Sequence, residues 1–413
     1  MVFNRRLSIN AIHLARSRVQ IILITGLRRS GKSTLMGELL KEVRNEKPPL
    51  RIVQLLEKGS ITSARQLLSE ARALGVGNSA LFIDLEDKFE GLVEAIGEIS
   101  RKYSTTIFIT GKRTQPLEEI LIPAFSPKIV CIPISPLSYN EYLEYRSLVD
   151  SRKALDAYAK TGGLPEIISV DSDLAIFNRL VATEADSFIL TEILEPNSLR
   201  NPSHIRKLLE IVCQSTGKTL PAREICKSFA ADKITISPQA ALDYLEACRY
   251  SGLVISIPVW DISRKKLLDT GGVWYFANTG LRQAFSKTKG RTDYDRVQEN
   301  LVFLYFIQMG WTVYQGRIDI GKIEKETIQF VCEKKGKRIY IQMTGSDVSE
   351  SQRKRKRNVL LRIRDAWPKY IIESEHEGTN VDGIRSLHIR SLLRSGIFET
   401  ELFENSISPL HSS

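Results

Sequence analysis

The stretch Gly26-Leu27-Arg28-Arg29-Ser30-Gly31-Lys32-Ser33-Thr34 sets two glycines ahead of a lysine and two hydroxyls. The spacing is G-x-x-x-x-G-K-[ST], a strong signal when a strand precedes it and a helix follows. Both flanks are present. Residues 19–25 are short, apolar and β-branched, and the segment from Lys32 sets Leu35, Leu39, Leu40 and Val43 on one helical face. Gly26 and Gly31 let the loop turn its N–H groups inward, where they and the helix N-terminus bind phosphate oxygens. Lys32 would reach the β- and γ-phosphates and Ser33 would ligate Mg²⁺. Gly26, Arg29, Ser30, Gly31, Lys32, Ser33 and Thr34 are therefore the expected nucleotide-binding residues, with ATP and Mg²⁺ as ligands.

Hydrolysis also needs a carboxylate that holds Mg²⁺ and one that activates water. Asp84 ends the apolar run Leu81-Phe82-Ile83 and is the expected second metal-holding residue. The acid does not follow at once; Leu85 intervenes before Glu86 and Asp87. Glu86 is the candidate general base, with Asp87 as its competitor. Either could instead cap the next helix, where an acid is favoured. The strand at 105–110 ends in Thr110, followed by Lys112 and Arg113. Thr110 could sense the γ-phosphate, and Arg113 could stabilise the transferring charge in cis or in trans. A solvated turn accounts equally well for the two cations.

The elements that must position these groups follow a β-α alternation through residues 1–138, which implies α/β architecture with a parallel sheet covered on both faces. Residues 139–200 read as a helical lid. Residues 201–290 read as three short helices and a β-rich segment, the winged-helix pattern. Residues 291–400 form a further α/β unit, and 401–413 a loose tail. The net charge of +11 and pI near 9.3 over 413 residues point to an anionic partner, nucleic acid being the commonest. The five cysteines lie far apart with no CxxC pair, which suggests neither a zinc site nor a disulfide framework. No run of about eighteen apolar residues occurs, and the N-terminus has no signal-peptide core. A cytoplasmic protein with no membrane partner is expected.

Taken in order, "GLRRSGKST", "LFIDLED", "FITGKR", "ISPLSYNEYLEY", "TGGLPEII", "YFANTGL", "ENLVF" and "IYIQMT" resemble the prokaryotic AAA+-related ATPases that carry a winged helix and a restriction-nuclease-like C-terminal domain. The resemblance spans nearly the whole chain. It implies an ATPase core, a helical lid, a winged helix and a nuclease-like fold, and the assembly expected is a homo-oligomer. In related switches a Gly-Gly-x-Pro element lies over the nucleotide. Gly162, Gly163 and Pro165 match it, which would place Pro165 at the base. A helix stop and start would use the same residues.

Active nucleases of that fold use a helix Glu, a strand Asp and Asp/Glu-x-Lys on the next strand. Glu299 matches the first. Gln329 stands at the strand Asp, and Gln342-Met343-Thr344 at the last motif. Glu324 and Glu326 lie nearby at the wrong offset. Neutral amides do not replace carboxylates on a hard cation. The domain is thus expected to be inactive as a nuclease and to serve binding or assembly. Beyond it, "QRKRKRNVLLRIRD" is strongly basic, and Arg353, Arg357 and Arg364 would share a helical face. Arg353, Lys354 and Arg357 are the expected DNA-backbone contacts, against the plainer reading of a solvated face. The function expected is an ATP-driven protein that binds or remodels DNA. The alternative is a nucleotide-dependent switch or scaffold for protein partners with weak hydrolysis.

Overall fold

The computed structural model describes residues 5–57, 59, 61–75, 78–85, 87–111, 115–169, 174–287, 290–319, 325–346, 348–375, 380–394 and 398. The first third alternates α1 (Arg6–Arg16), β1 (Ile21–Thr25), α2 (Lys32–Arg44), β2 (Arg51–Leu55), α3 (Ala64–Ala71), β3 (Ser79–Leu85), α4 (Leu92–Lys102), β4 (Thr105–Gly111), α5 (Gln115–Phe125) and β5 (Ile129–Pro133). The five strands are all parallel, in the order β2-β3-β4-β1-β5. Their near-continuous apolar runs follow from burial on both faces. Ile22, Ile24, Phe82 and Phe108 pack toward α2 with Leu35, Met36, Leu39 and Val43. Ile21, Leu23, Leu81, Ile83, Ile107 and Ile109 pack with Leu67, Leu92, Ile96 and Leu117 on the other side. Each such side chain contributes about 1.5–3 kcal/mol. The four α2 positions expected on one face are all buried. β3 and β4 run in register with Asp84 opposite Thr110, and the loop before α2 leaves the same end of β1.

Helices α6 (Tyr139–Arg146), α7 (Arg152–Thr161), α8 (Pro165–Ile168) and α9 (Leu174–Phe188) follow, and α9 runs into a π-helical turn at Ile189–Leu194. Tyr139, Tyr142 and Tyr158 of α6 and α7 are buried with the C-terminal sheet. Phe177 and Val181 of α9, with Ile189 and Ile193 of the π turn, instead join α10 (Pro202–Gln214), α11 (Ala222–Ala231) and α12 (Pro238–Tyr250). The segment 139–200 is thus shared between two cores.

After α12 comes an antiparallel hairpin, β6 (Val254–Asp261) and β7 (Lys266–Phe276). Then follow α13 (Thr279–Gln283), α14 (Arg291–Gln308), β8 (Thr312–Asp319), β9 (Lys325–Lys334), β10 (Lys337–Thr344), α15 (Glu350–Leu361), β11 (Lys369–Glu373), β12 (Asn380–Val381), β13 (Ile384–His388) and α16 (Ile389–Arg394). Eight strands form one sheet in the order β12-β13-β11-β10-β9-β8-β6-β7. The hairpin enters it through a parallel pairing of β6 with β8, Val259 opposite Gln315. The three-helix-and-hairpin segment and the C-terminal α/β segment are therefore joined by backbone hydrogen bonds across residue 290.

Several of the short motifs touch one another. The Leu137 N–H donates to the Gly163 carbonyl at 2.7 Å, and a Cβ on Gly163 would sit 2.1 Å from the Leu137 oxygen. A Cβ on Gly280 would sit 2.0 Å from the Thr161 oxygen. Asn300 pairs with the backbone of Phe276 at both ends, accepting at 2.9 Å and donating at 2.8 Å. Tyr275 next to it donates to Glu299 at 2.9 Å. The motifs "ISPLS", "TGGLP", "ANTGL" and "ENLVF" are successive contacts in one strip of structure.

Candidate nucleotide site

The loop between β1 and α2 owes its shape to close approach. Gly26 has φ 135°, and a Cβ there would lie 2.1 Å from the Ile134 oxygen, so only glycine fits. Gly31, at φ 98°, is the N-cap of α2, and no side chain caps the first turn. The leading N–H groups of a thirteen-residue helix are thereby left for an anion. The guanidinium of Arg5 holds the loop from behind, donating to the Ser30 carbonyl at 2.7 Å and to the Ser135 carbonyl at 2.8 Å. Burial lowers its pKa, and Glu141, 3.7 Å away, opposes that shift.

Inside the loop the Lys32 ammonium donates to the carbonyls of Gly26 at 2.9 Å and Leu27 at 3.1 Å. Lys32 is buried, and desolvation lowers its pKa from 10.5 to about 8, with Asp84 and Glu192 opposing and Arg28 assisting. The Ser33 hydroxyl donates to Asp84 Oδ2 at 2.8 Å. A hydroxyl and a buried carboxylate at one point are hard oxygen donors. They fit Mg²⁺, which takes one or two protein ligands and keeps phosphate and water for the rest. Among the described residues no group of three or more His, Cys, Asp or Glu could hold a metal on its own.

These groups line a cleft of about 610 Å³ together with Arg28, Arg29, Gly31, Thr34, Leu85, Gly111, Tyr145, Pro165, Glu166 and Ser169. Gly31, Lys32, Ser33, Thr34 and Asp84 come together here as expected from the spacing, with Arg29 and Pro165 at the same opening. Pro165 is the first residue of α8. The lid reaches the loop through its acids. Arg29, in the left-handed region at φ 64°, bonds Glu166 at 2.5 Å and also Glu184 of α9. Arg28 donates to Thr191 Oγ1 at 2.7 Å and to Glu192 Oε1 at 3.2 Å, both in the π turn. Sequence reasoning missed Arg5, Arg28, Glu166, Glu184 and Glu192. The double arginine of the loop was the one available signal.

Other expected residues lie elsewhere. Thr110 is fully buried and its hydroxyl donates to the Ile24 carbonyl at 2.9 Å, so Gly111 lines the cleft at this strand end. The Ser30 hydroxyl is buried and has no partner among the described residues. Asp87 accepts from the Lys88 N–H at 2.9 Å. Glu86, Lys112, Arg113 and Glu324 lie outside the described residues. In the basic run, Arg353 turns toward Glu373 at 3.7 Å and is largely covered, Arg357 is half-buried, and Lys354 is exposed. α15 ends at Leu361, so Arg364 does not share a helical face with Arg353 and Arg357. Glu299 accepts the Tyr275 hydroxyl, and burial raises its pKa.

A parallel sheet with a phosphate loop, a helix N-terminus and a Ser–Asp pair at the strand ends defines a P-loop nucleotide-binding core. Residues 18–143 match the family described as AAA domain. Residues 152–292 match a family described as a domain of unknown function (DUF8612). An uncharacterized protein of Haemophilus influenzae is 24% identical over 382 residues, covering 89% of this chain and 93% of its own. Among solved structures, a Walker-type ATPase of Pyrococcus abyssi overlaps 69% of this chain and 96% of its own at 13% identity and TM-score 0.48. The Aeropyrum pernix Orc1 protein in complex with DNA overlaps 68% and 90% at 14% identity and TM-score 0.29. No described helix is long and apolar enough to cross a membrane.

Proposed function

We propose that the chain is a cytoplasmic Mg²⁺-dependent ATPase whose nucleotide state acts on DNA. The observation that carries the ATPase reading is the Ser33–Asp84 contact at 2.8 Å in a cleft headed by Lys32. Lys32 and the α2 N-terminus bind the triphosphate. Ser33 and Asp84 would hold Mg²⁺, which neutralises charge between the phosphates. Glu86, or Asp87 in its place, takes the proton of the attacking water, and Arg113 stabilises the transferring group, from the same subunit or from a neighbour in a homo-oligomer.

DNA as the target is supported by the net charge of +11 and by exposed cations at Lys265, Lys266, Lys354, Arg362 and Arg364. The exposed face of α12 carries Gln239, Asp243, Glu246 and Arg249, with Arg249 bound to Glu246. Such a face is ill-suited to a polyanion. DNA contact is therefore assigned to the basic C-terminal surface, with Lys354 and Arg357 ahead of Arg353, and to backbone phosphates rather than bases.

One observation favours a second reading, a switch for protein partners with weak hydrolysis. Both loop arginines are held by lid acids, Arg29 by Glu166 and Glu184, Arg28 by Glu192. A triphosphate competing for those arginines would move the lid without turnover. ATPase assays with duplex, single-stranded and branched DNA separate the two. Stimulation by DNA, lost with salt and in a Lys354→Glu/Arg357→Glu variant, supports the first; binding of no DNA at low salt leaves the second.

A further inference from the structure

A second cleft, of about 870 Å³, opens between the turn 216–219, the start of α14, the ends of β9 and β10, and one side of α15. It shares no lining residue with the nucleotide cleft. Its size is that of a site for a small ligand. Glu299 is the one acid at the three nuclease positions, and it is occupied by the Tyr275 hydroxyl. The other two positions are Gln329 and Gln342.

These amides are anchored. Gln342 Nε2 donates to the Thr327 carbonyl at 2.8 Å, Gln315 Nε2 donates to the Gly217 carbonyl at 2.8 Å, and Gln329 Oε1 accepts from the Met343 N–H at 3.3 Å. The opposite end of each amide has no partner among the described residues. Gln342 and Gln315 are 3% and 7% exposed, so what they offer is offered into the cleft wall. Two fixed acceptors and one fixed donor result, at little further entropic cost on binding. The cation here comes from the protein. Lys356, in the basic run of α15, turns into this cleft and donates to the Met343 carbonyl. Burial lowers its pKa, and the nearby carboxyl groups of Glu299 and Asp295 oppose that shift. Lys218 and Arg296 stand at the same cleft, while Arg355 is bound to Glu326.

We propose that this cleft is a metal-independent nucleotide site, in which Lys356, Lys218 and Arg296 take a phosphate and the anchored glutamines read a base edge. Glutamine amides pair with base edges, as they do in nucleic-acid recognition. A phosphate needs fixed cations, and a protein ammonium supplies one without the carboxylates that a metal requires. The nucleotide is either free or the terminal unit of a strand.

The test is equilibrium binding to the full chain in EDTA, with two probes: the four nucleoside 5′-monophosphates, and a 5′-phosphorylated single-stranded hexanucleotide. Binding of the monophosphates points to a free nucleotide and binding of the hexanucleotide alone to a strand end; either supports the proposal. Lys356→Met should weaken it roughly tenfold or more, the loss of a charged hydrogen-bond partner. Gln342→Leu should flatten the preference among bases. Lys32→Ala should leave it unchanged, because the P-loop is elsewhere. Fluorescent ATP bound normally by Lys356→Met shows that the variant is folded; Lys356→Gln takes its place if it is not. Failure of both probes in EDTA overturns the proposal, as does binding that appears only with Mn²⁺ or is lost in Lys32→Ala but kept in Lys356→Met and Lys356→Gln. Duplex binding through Lys354 and Arg357 is a separate reading and survives any of these results.

Discussion

Raising the pH from 7 to 9 should weaken ATP binding about tenfold, through Lys32 alone. Burial holds its pKa at about 8, against an ordinary 10.5. Keeping the ammonium charged in that place costs about 3 kcal/mol. The folded value is the lower one, so the cost is present in full below pH 8 and is relieved as pH rises toward 10.5. A bound triphosphate supplies the anion that the site lacks and draws the proton back. About nine-tenths of Lys32 is charged at pH 7 and about a tenth at pH 9, so binding at pH 9 must first take up a proton, at about 1.4 kcal/mol. The last phosphate ionisation lies at about pH 6, so it is mostly complete at pH 7 and, running toward more negative charge, does not weaken binding as pH rises. Titration calorimetry in two buffers of different ionisation enthalpy reads both the affinity and the proton uptake. A flat affinity from pH 7 to 9, or the same slope in Lys32→Met, would refute the reasoning.

Glu86→Gln should retain ATP and slow its hydrolysis, because the base is removed while size and polarity stay; if Asp87→Asn stops turnover and Glu86→Gln does not, Asp87 is the base. Asn300→Ala removes two hydrogen bonds to buried strand backbone and should lower stability by about 2–4 kcal/mol, read from denaturant unfolding with unchanged slope. An effect below about 0.5 kcal/mol would contradict the role given to Asn300. Linear, circular and branched DNA incubated with Mg²⁺ or Mn²⁺ should stay intact. Cleavage that disappears in Glu299→Ala would show a live nuclease site and a wrong placement of Gln329 and Gln342.

What the sequence made legible was local. The phosphate loop needs a fixed spacing over nine residues, and Asp84 needs only a strand that ends there. The face of α2 follows from its period. The groups that hold the loop come from far along the chain and carry no local mark. Arg5 meets Ser30 across a sequence separation of 25, and Arg28 meets Glu192 across 164. The hydrogen bond of Thr110 to the Ile24 carbonyl has no local mark, because a strand-end threonine looks the same in sequence whether it faces a ligand or the neighbouring strand. The joining of β6 to β8 was illegible for the same reason, since strand pairing is decided by contacts remote in sequence. Within "RKRKR" the composition was plain, but only helix packing decides that Lys356 turns inward, Arg353 turns to Glu373 and Lys354 faces water.

The most direct measurement of the central claim is single-turnover hydrolysis of ATP by the purified chain in Mg²⁺, beside Lys32→Ala. The loop backbone is intact in that variant, and only the cation facing the β- and γ-phosphates is gone. The account predicts Mg²⁺-dependent phosphate release by the parent chain and a loss of roughly tenfold or more in binding or turnover in the variant. Equal binding and equal phosphate release by the two proteins would contradict it.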